Sequence, residues 1–140
     1  MISSGDRIFV DTGAFVALAA SRDAHHASAA ALWRELVLEG GKPSTSVPVL
    51  IETYTYLQRK LGSEVAETWR EALVATPRLT ILECTVADLS AAWPWLQRRD
   101  LHKLSLVDAT SFVLMKKHKL RRAFSFDAHF AAAGFKLLRS

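Results

Sequence analysis

Four carboxylates in this 140-residue chain stand where an apolar run gives way to a helix. Asp11 follows "RIFV", Glu52 follows Leu50 and Ile51, Asp108 follows Leu106 and Val107, and Asp127 follows Phe126. Acids set among core residues repel one another if they stand close. They then need protons, basic partners or a bound cation to coexist. Oxygen donors without a partner histidine or cysteine suit a hard ion, Mg²⁺ or Mn²⁺. Such an ion, ringed by lysine and arginine, suits phosphodiester hydrolysis, because it lowers the pKa of a water and neutralises charge on the phosphate.

Each acid also has a purely structural reading. A cap or first-turn carboxylate stabilises a helix by about 0.3–2 kcal/mol. Asp11 would cap the helix after the first strand, and Asp108 lies three residues after Ser105, the spacing of a capping box. On this alternative the chain is a non-catalytic α/β partner-binding module. Glu52 fits the alternative worst. It lies about one turn into a helix whose start Thr45, Ser46 and Pro48 already supply.

The elements that must position these acids alternate. "RIFV" (7–10), residues 43–47, "LTILE" (79–83), "RAFSF" (122–126) and "FKLLR" (135–139) read as strands. Between them run an Ala-rich helix after Asp11 and a helix with Asp23 as N-cap and Gly40-Gly41 as its stop. A helix from Pro48 to Leu61 ends at Gly62, and another runs from Ser63 to about Ala75. "TVADLSAAWPWLQRR" opens with Thr85 and Asp88 at box spacing, and Pro94 should kink or end it. "SLVDATSFVLMKKHKL" is the next helix, and a short one follows Asp127. Alternation of this kind predicts an α/β domain spanning 1–140 with a mainly parallel sheet of about five strands. Ligands bind at the C-terminal edge of such strands, where all four acids fall.

Composition narrows the function classes. Cys84 is the only cysteine, so no internal disulfide and no zinc ribbon can form, which suits a reducing compartment. No basic-plus-apolar leader opens the chain, and its apolar runs are shorter than the ~20 residues that span a bilayer. A cytoplasmic protein without a membrane partner is the expectation. Net charge is +4, but residues 1–96 carry −3 and residues 97–140 carry +7. The excess lies in "RRDLHK", with Arg98, Arg99 and Lys103, and in "KKHKLRR", with Lys116, Lys117, Lys119, Arg121 and Arg122. Such a patch suits an anionic partner, nucleic acid above all, although on charge alone solvated helix ends are the favoured alternative.

"FVDTGAFVAL", "VPVLIETYTYLQRKLG" and "LSLVDATSFVLMKKHKLRRAFSFDAHFAAAGFKLL" together resemble the PIN-domain nucleases, specifically the VapC-type toxins of bacterial toxin–antitoxin pairs. The resemblance implies a single PIN-like domain with a three-layer α/β/α fold and a metal-dependent endoribonuclease acting on a structured RNA, tRNA or rRNA. Asp11, Glu52, Asp108 and Asp127 match the family's four acidic positions. Asp11 and Asp108 would be the firmest metal ligands, with Glu52 and Asp127 completing the cluster directly or through water. Thr12 occupies the small-hydroxyl position after the first aspartate, as a supporting hydrogen-bonder. A homodimer and a cognate VapB-like antitoxin are also implied.

Other phosphotransfer folds fit worse. A haloacid-dehalogenase-like phosphatase needs a second aspartate at position 13, which is glycine. A receiver domain needs an isolated aspartate where "LTILECT" has none. His25 and His26 are assigned to the surface. His129, two residues after Asp127, could approach substrate but is assigned with Phe130 to packing of the short helix. Trp69, Trp93 and Trp95 are read as core or interface anchors, and Tyr54 and Tyr56 as core packing.

Overall fold

Five short runs of the chain line up as parallel strands in the computed structural model, which describes residues 1–139. They are β1 (Arg7–Val10), β2 (Lys42–Ser46), β3 (Thr80–Leu82), β4 (Arg122–Phe124) and β5 (Lys136–Leu137), in the order β3-β2-β1-β4-β5. Ile8 and Phe9 of β1 pair with β2 on one side and with β4 on the other, and are fully buried. A strand buried on both faces is apolar throughout, as "IFV" is. β2 departs from that rule: Ser44, Thr45 and Ser46 are buried although polar. Thr45 offsets the cost by donating its hydroxyl to the Val10 carbonyl at 3.0 Å, which also fixes the end of β1 next to Asp11.

Seven α-helices connect the strands: α1 (Thr12–Ala19), α2 (His26–Leu38), α3 (Val47–Leu61), α4 (Ser63–Val74), α5 (Val86–Ala92), α6 (Leu106–Lys117) and α7 (His129–Ala132). The chain steps from β1 to β2 and β3 in one direction, then crosses back to β4 and β5. Right-handed crossovers in opposite directions place helices on opposite faces of the sheet. Aromatic contacts follow that division. Trp33 of α2 packs toward Phe124 of β4, whereas Phe112 of α6 meets Phe130 of α7 edge-on at 4.9 Å.

Local signals explain most boundaries. Ser46 caps α3 by accepting the Val49 N–H, Pro48 lies in its first turn, and Gly62 ends it at φ 100°. Pro94 turns the chain after α5 into a 3-10 helix over Trp93–Gln97. Several expected bounds shift, with strands of 42–46, 80–82 and 136–137 in place of 43–47, 79–83 and 135–139. Two further shifts have a visible local cause. Helix α2 begins at His26 because the Asp23 carboxylate accepts the His25 N–H at 2.8 Å, shaping the turn before the helix rather than its cap. Strand β4 pairs only to Phe124, so Ser125 and Phe126 run beyond the ladder onto the rim. Among the described residues no helix is long and apolar enough to cross a membrane.

Candidate active site

β1 is the central strand, and its neighbours lead away to opposite faces. Such a switch point leaves a crevice over the strand's C-terminal end. Asp11 stands there, 4% exposed, with its N–H bonded to the Phe124 carbonyl at 3.1 Å. It occupies the N-cap position of α1, yet its side chain makes no cap bond. The carboxylate is instead held by the Ser125 hydroxyl, which donates to Oδ2 at 3.0 Å. Burial pushes its pKa up to about 6. The charges of Asp127 and Glu52 add to the rise, and bonds from Ser125 and the Thr12 N–H oppose it.

Asp108 reaches the same rim from the first turn of α6. Ser105 caps that helix by accepting the Asp108 N–H at 3.0 Å. The carboxylate does not return the favour to the Ser105 backbone among the described residues, so the expected box is half made. The Asp108 pKa is pushed up to about 8, first by burial, then by the charges of Asp11 and Asp127, by hydrogen bonding with Asp127, and by Glu52. The four acids therefore share one electrostatic neighbourhood, as the strand-edge argument expected. Glu52 enters it from α3, half-buried and six residues past the Ser46 cap.

Asp127 is fixed by its backbone. Its N–H donates to Ser125 Oγ at 3.0 Å, and its Oδ1 accepts the His129 N–H at 2.9 Å. The His129 ring, assigned from sequence to packing, lies 3.0 Å from Asp127 Oδ1 through Nδ1, and its Nε2 donates to the His102 carbonyl at 2.8 Å. Phe130 does fill the core as expected. One ligand atom each from Asp108, Asp127 and His129 lie within 4.8 Å of one another. Ser125 is a site residue that sequence reasoning missed, and His129 one that it set aside in favour of packing. The serine signals itself only by standing two residues before Asp127, a spacing that many surface turns share.

Two buried oxygens, Asp11 Oδ1 and Thr12 Oγ1, find no hydrogen-bond partner among the described residues. An unpaired buried acceptor costs about 1–3 kcal/mol, and the site leaves one on the carboxylate most removed from water. Clustered carboxylates of raised pKa with an unsatisfied oxygen fit a hard divalent cation.

The basic residues do not form one patch. Arg98, Arg99 and Lys103 lie in the segment that leads into α6, whose His102 carbonyl touches His129, so this group borders the rim. Arg98 is paired with Asp100, its Nε donating to Oδ1 at 3.0 Å, and lies over the Trp95 ring. Lys116 and Lys117 close α6, about 13 Å along the helix axis from Asp108, and Lys119 lies in the turn just past it. Arg122 opens β4 and Arg121 precedes it, at the strand end opposite the acids. Lys117 pairs with Asp88, and Arg122 pairs with Asp6 and donates to the Met1 carbonyl. Spacing along the chain hid this because a helix and a strand together carry residues from one edge of the sheet to the other.

Other residues set aside from sequence are placed variously. His25 is exposed and stacks flat on Phe126 at 4.3 Å, an aromatic face one residue from both Ser125 and Asp127. His26 binds the Ala17 carbonyl. Trp69 and Trp95 pack against Phe15 and Phe112, whereas Trp93 is half exposed. Tyr54 donates to Glu67 at 2.6 Å, tying α3 to α4, while Tyr56 is exposed rather than packed in the core.

Comparison with known proteins agrees with this geometry. The model of the PIN domain matches residues 8–136. The chain is 41% identical over 132 residues to the "23S rRNA-specific endonuclease VapC20" of Mycobacterium tuberculosis, covering 91% of this chain and 95% of that protein. A crystal structure of M. tuberculosis VapC20, described as a sarcin-ricin loop cleaving toxin, superimposes with a TM-score of 0.84 at 37% identity, over 95% of this chain and 99% of the other. The VapBC2 complex of Rickettsia felis, bound to promoter DNA, shares the fold at TM-score 0.68 and 12% identity, over 94% and 97% of the two chains. A central strand ending in a buried aspartate, three further acids on the same rim and an all-parallel five-stranded sheet are accounted for together: the chain belongs to the PIN-domain family.

Proposed function

We propose that this chain is a Mg²⁺- or Mn²⁺-dependent endoribonuclease acting on ribosomal RNA, and the toxin of a toxin–antitoxin pair. The observation that carries the reading is the rim of four acids around Asp11, whose buried Oδ1 has no hydrogen-bond partner among the described residues. Identity of 41% to a 23S rRNA-specific endonuclease supports the substrate class, and the sarcin-ricin loop is the segment we propose as target.

In this reading Asp11 and Asp108 hold the cation most directly, and Glu52 and Asp127 complete its surroundings. A divalent ion bound there activates water and neutralises charge on the scissile phosphate. Ser125 keeps Asp11 and Asp127 in register, since its hydroxyl donates to one and accepts the other's N–H. Thr12 supports the same corner of the site. Arg99 and Lys103, exposed beside the rim and free of ion pairs among the described residues, dock the RNA backbone. Lys116, Lys119 and Arg121 serve a longer-range attraction for the polyanion, because their edge of the sheet is remote from the acids. A homodimer and a VapB-like antitoxin that covers the acidic rim complete the proposal.

The test is cleavage of purified ribosomes and of total RNA by the whole chain in Mn²⁺, in EDTA, and with Asp11→Asn. A discrete 23S rRNA fragment that needs both the metal and Asp11 is the expected result. Fragments that persist in EDTA, or with Asp11→Asn, would overturn the assignment of the acids.

A further inference from the structure

We propose that His129 is a nitrogen ligand of the cation held at the acidic rim, and that its imidazole biases this site toward Mn²⁺ over Mg²⁺. The proposal rests on the reading that the rim binds a divalent ion. Its own support comes from the way the ring is fixed.

Nε2 of His129 lies 2.8 Å from the His102 carbonyl oxygen. A carbonyl only accepts, so Nε2 carries a proton. In the neutral ring Nδ1 then presents a lone pair, and it faces the Asp127 carboxylate at 3.0 Å from Oδ1 and 3.3 Å from Oδ2. Two acceptors held face to face repel unless something positive lies with them. Neither group is free to turn away. Asp127 Oδ1 accepts the His129 N–H, and the Asp127 backbone is anchored through Ser125 to Asp11.

A metal-ligating histidine gives its second ring N–H to a carbonyl or carboxylate, which fixes both tautomer and ring direction. The His102 carbonyl fills that part. The donor atoms of His129, Asp108 and Asp127 lie within 4.8 Å of one another, close to the spread of ligands that sit roughly 2.1 Å from one ion. Asp11 adds an independent indication, a buried oxygen with no hydrogen-bond partner among the described residues. Mg²⁺ takes oxygen ligands almost exclusively, whereas imidazole suits first-row transition ions. A nitrogen in the set therefore discriminates between the two ions where carboxylates alone would not.

The competing arrangement is a proton in place of the ion. His129 would then be an imidazolium that only positions Asp127. Pulsed EPR on Mn²⁺ bound to the full chain separates the two, together with calorimetric titration of Mn²⁺ and of Mg²⁺. We expect ¹⁴N modulation from a directly bound imidazole in the wild type and its loss in His129→Gln, a change that keeps a donor for the His102 carbonyl. Mn²⁺ affinity should fall by about 10- to 100-fold in that variant and Mg²⁺ affinity by less than about 3-fold. Mn²⁺ binding without ¹⁴N modulation overturns the proposal and leaves the acidic site standing, as does an equal loss for both ions. If the wild type binds neither ion, the metal reading falls with it.

Discussion

Thr85-Val86-Ala87-Asp88 and Ser105-Leu106-Val107-Asp108 read alike as sequence, a hydroxyl followed three residues later by an aspartate. Both hydroxyls cap their helices by accepting the aspartate N–H, at 3.1 and 3.0 Å. The likeness stops at the side chain. Asp88 completes its box, accepting the Thr85 N–H at 2.9 Å, and takes Lys117 Nζ at 3.1 Å. Its pKa lies below the ordinary carboxylate value, chiefly through the Thr85 backbone bond. Asp108 lies among Asp11, Asp127 and Glu52, and its pKa is raised to about 8. One local pattern serves two purposes, and the difference is what the tertiary structure sets opposite the carboxylate. Asp88 is already satisfied by a backbone N–H and an ammonium. Asp108 is held among like charges, which is what a cation relieves.

Breaking either box tests that contrast, and catalysis should respond most. Asp108→Asn should lower the initial rate of RNA cleavage by about 10²–10³-fold, the scale of losing one electrostatic stabiliser. Asp88→Asn should leave it within a few fold. Similar losses from both changes would mean that the two aspartates do not differ in role.

The pH dependence of stability should separate them next. For Asp11 and Asp108 the folded pKa lies above the unfolded value of 3.8, so the native state holds more protons between about pH 4 and 8. In EDTA, stability should fall as pH rises through that window, lowering Tm by on the order of 5–10 °C. Asp88 acts in the opposite sense at lower pH. Its contribution is present above 3.8 and is lost as pH falls through its depressed folded pKa. Mn²⁺ should raise Tm more at pH 8 than at pH 5, and Asp108→Asn should flatten the EDTA slope. A Tm in EDTA that climbs from pH 5 to 8 would contradict the crowding of acids at the rim.

Stability without metal gives a smaller effect. Asp88→Ala should cost about 1–2 kcal/mol in urea unfolding, the scale of a lost cap, while Asp108→Ala in EDTA should cost nothing or stabilise. Equal costs would assign Asp108 to capping after all. Smallest of all should be Lys117→Met. Its side chain is 49% exposed and Asp88 keeps the Thr85 N–H, so losing the pair should cost about 1 kcal/mol.

Much of this was legible in the chain because the signals are local. β1 is a continuous apolar run, α3 opens with Ser46 and Pro48, and Gly62 closes it, each through interactions among a few neighbouring residues. The buried polar strand β2 was less clear, since Thr45 belongs in the sheet only when Val10 stands beside it. His129 was assigned to packing for the same reason. Nothing next to it in sequence announces the His102 carbonyl, 27 residues away, that fixes its ring. The basic run misled because residues 116–122 cross from the end of a helix to the start of a strand, at the edge remote from the acids.

By itself the sequence determined which segments become strands and helices, that four acids would fall at strand ends and helix starts, and that no disulfide would hold them. Hydrophobic period, caps and breakers act over about four residues, so they can be read one element at a time. Only the tertiary structure decided that residues 11, 52, 108 and 127 share one crevice, that Asp88 is neutralised while Asp108 is not, and that His129 joins the acids. Those outcomes depend on strand order and crossover direction, which are set by burial between elements far apart in the chain and leave no local mark.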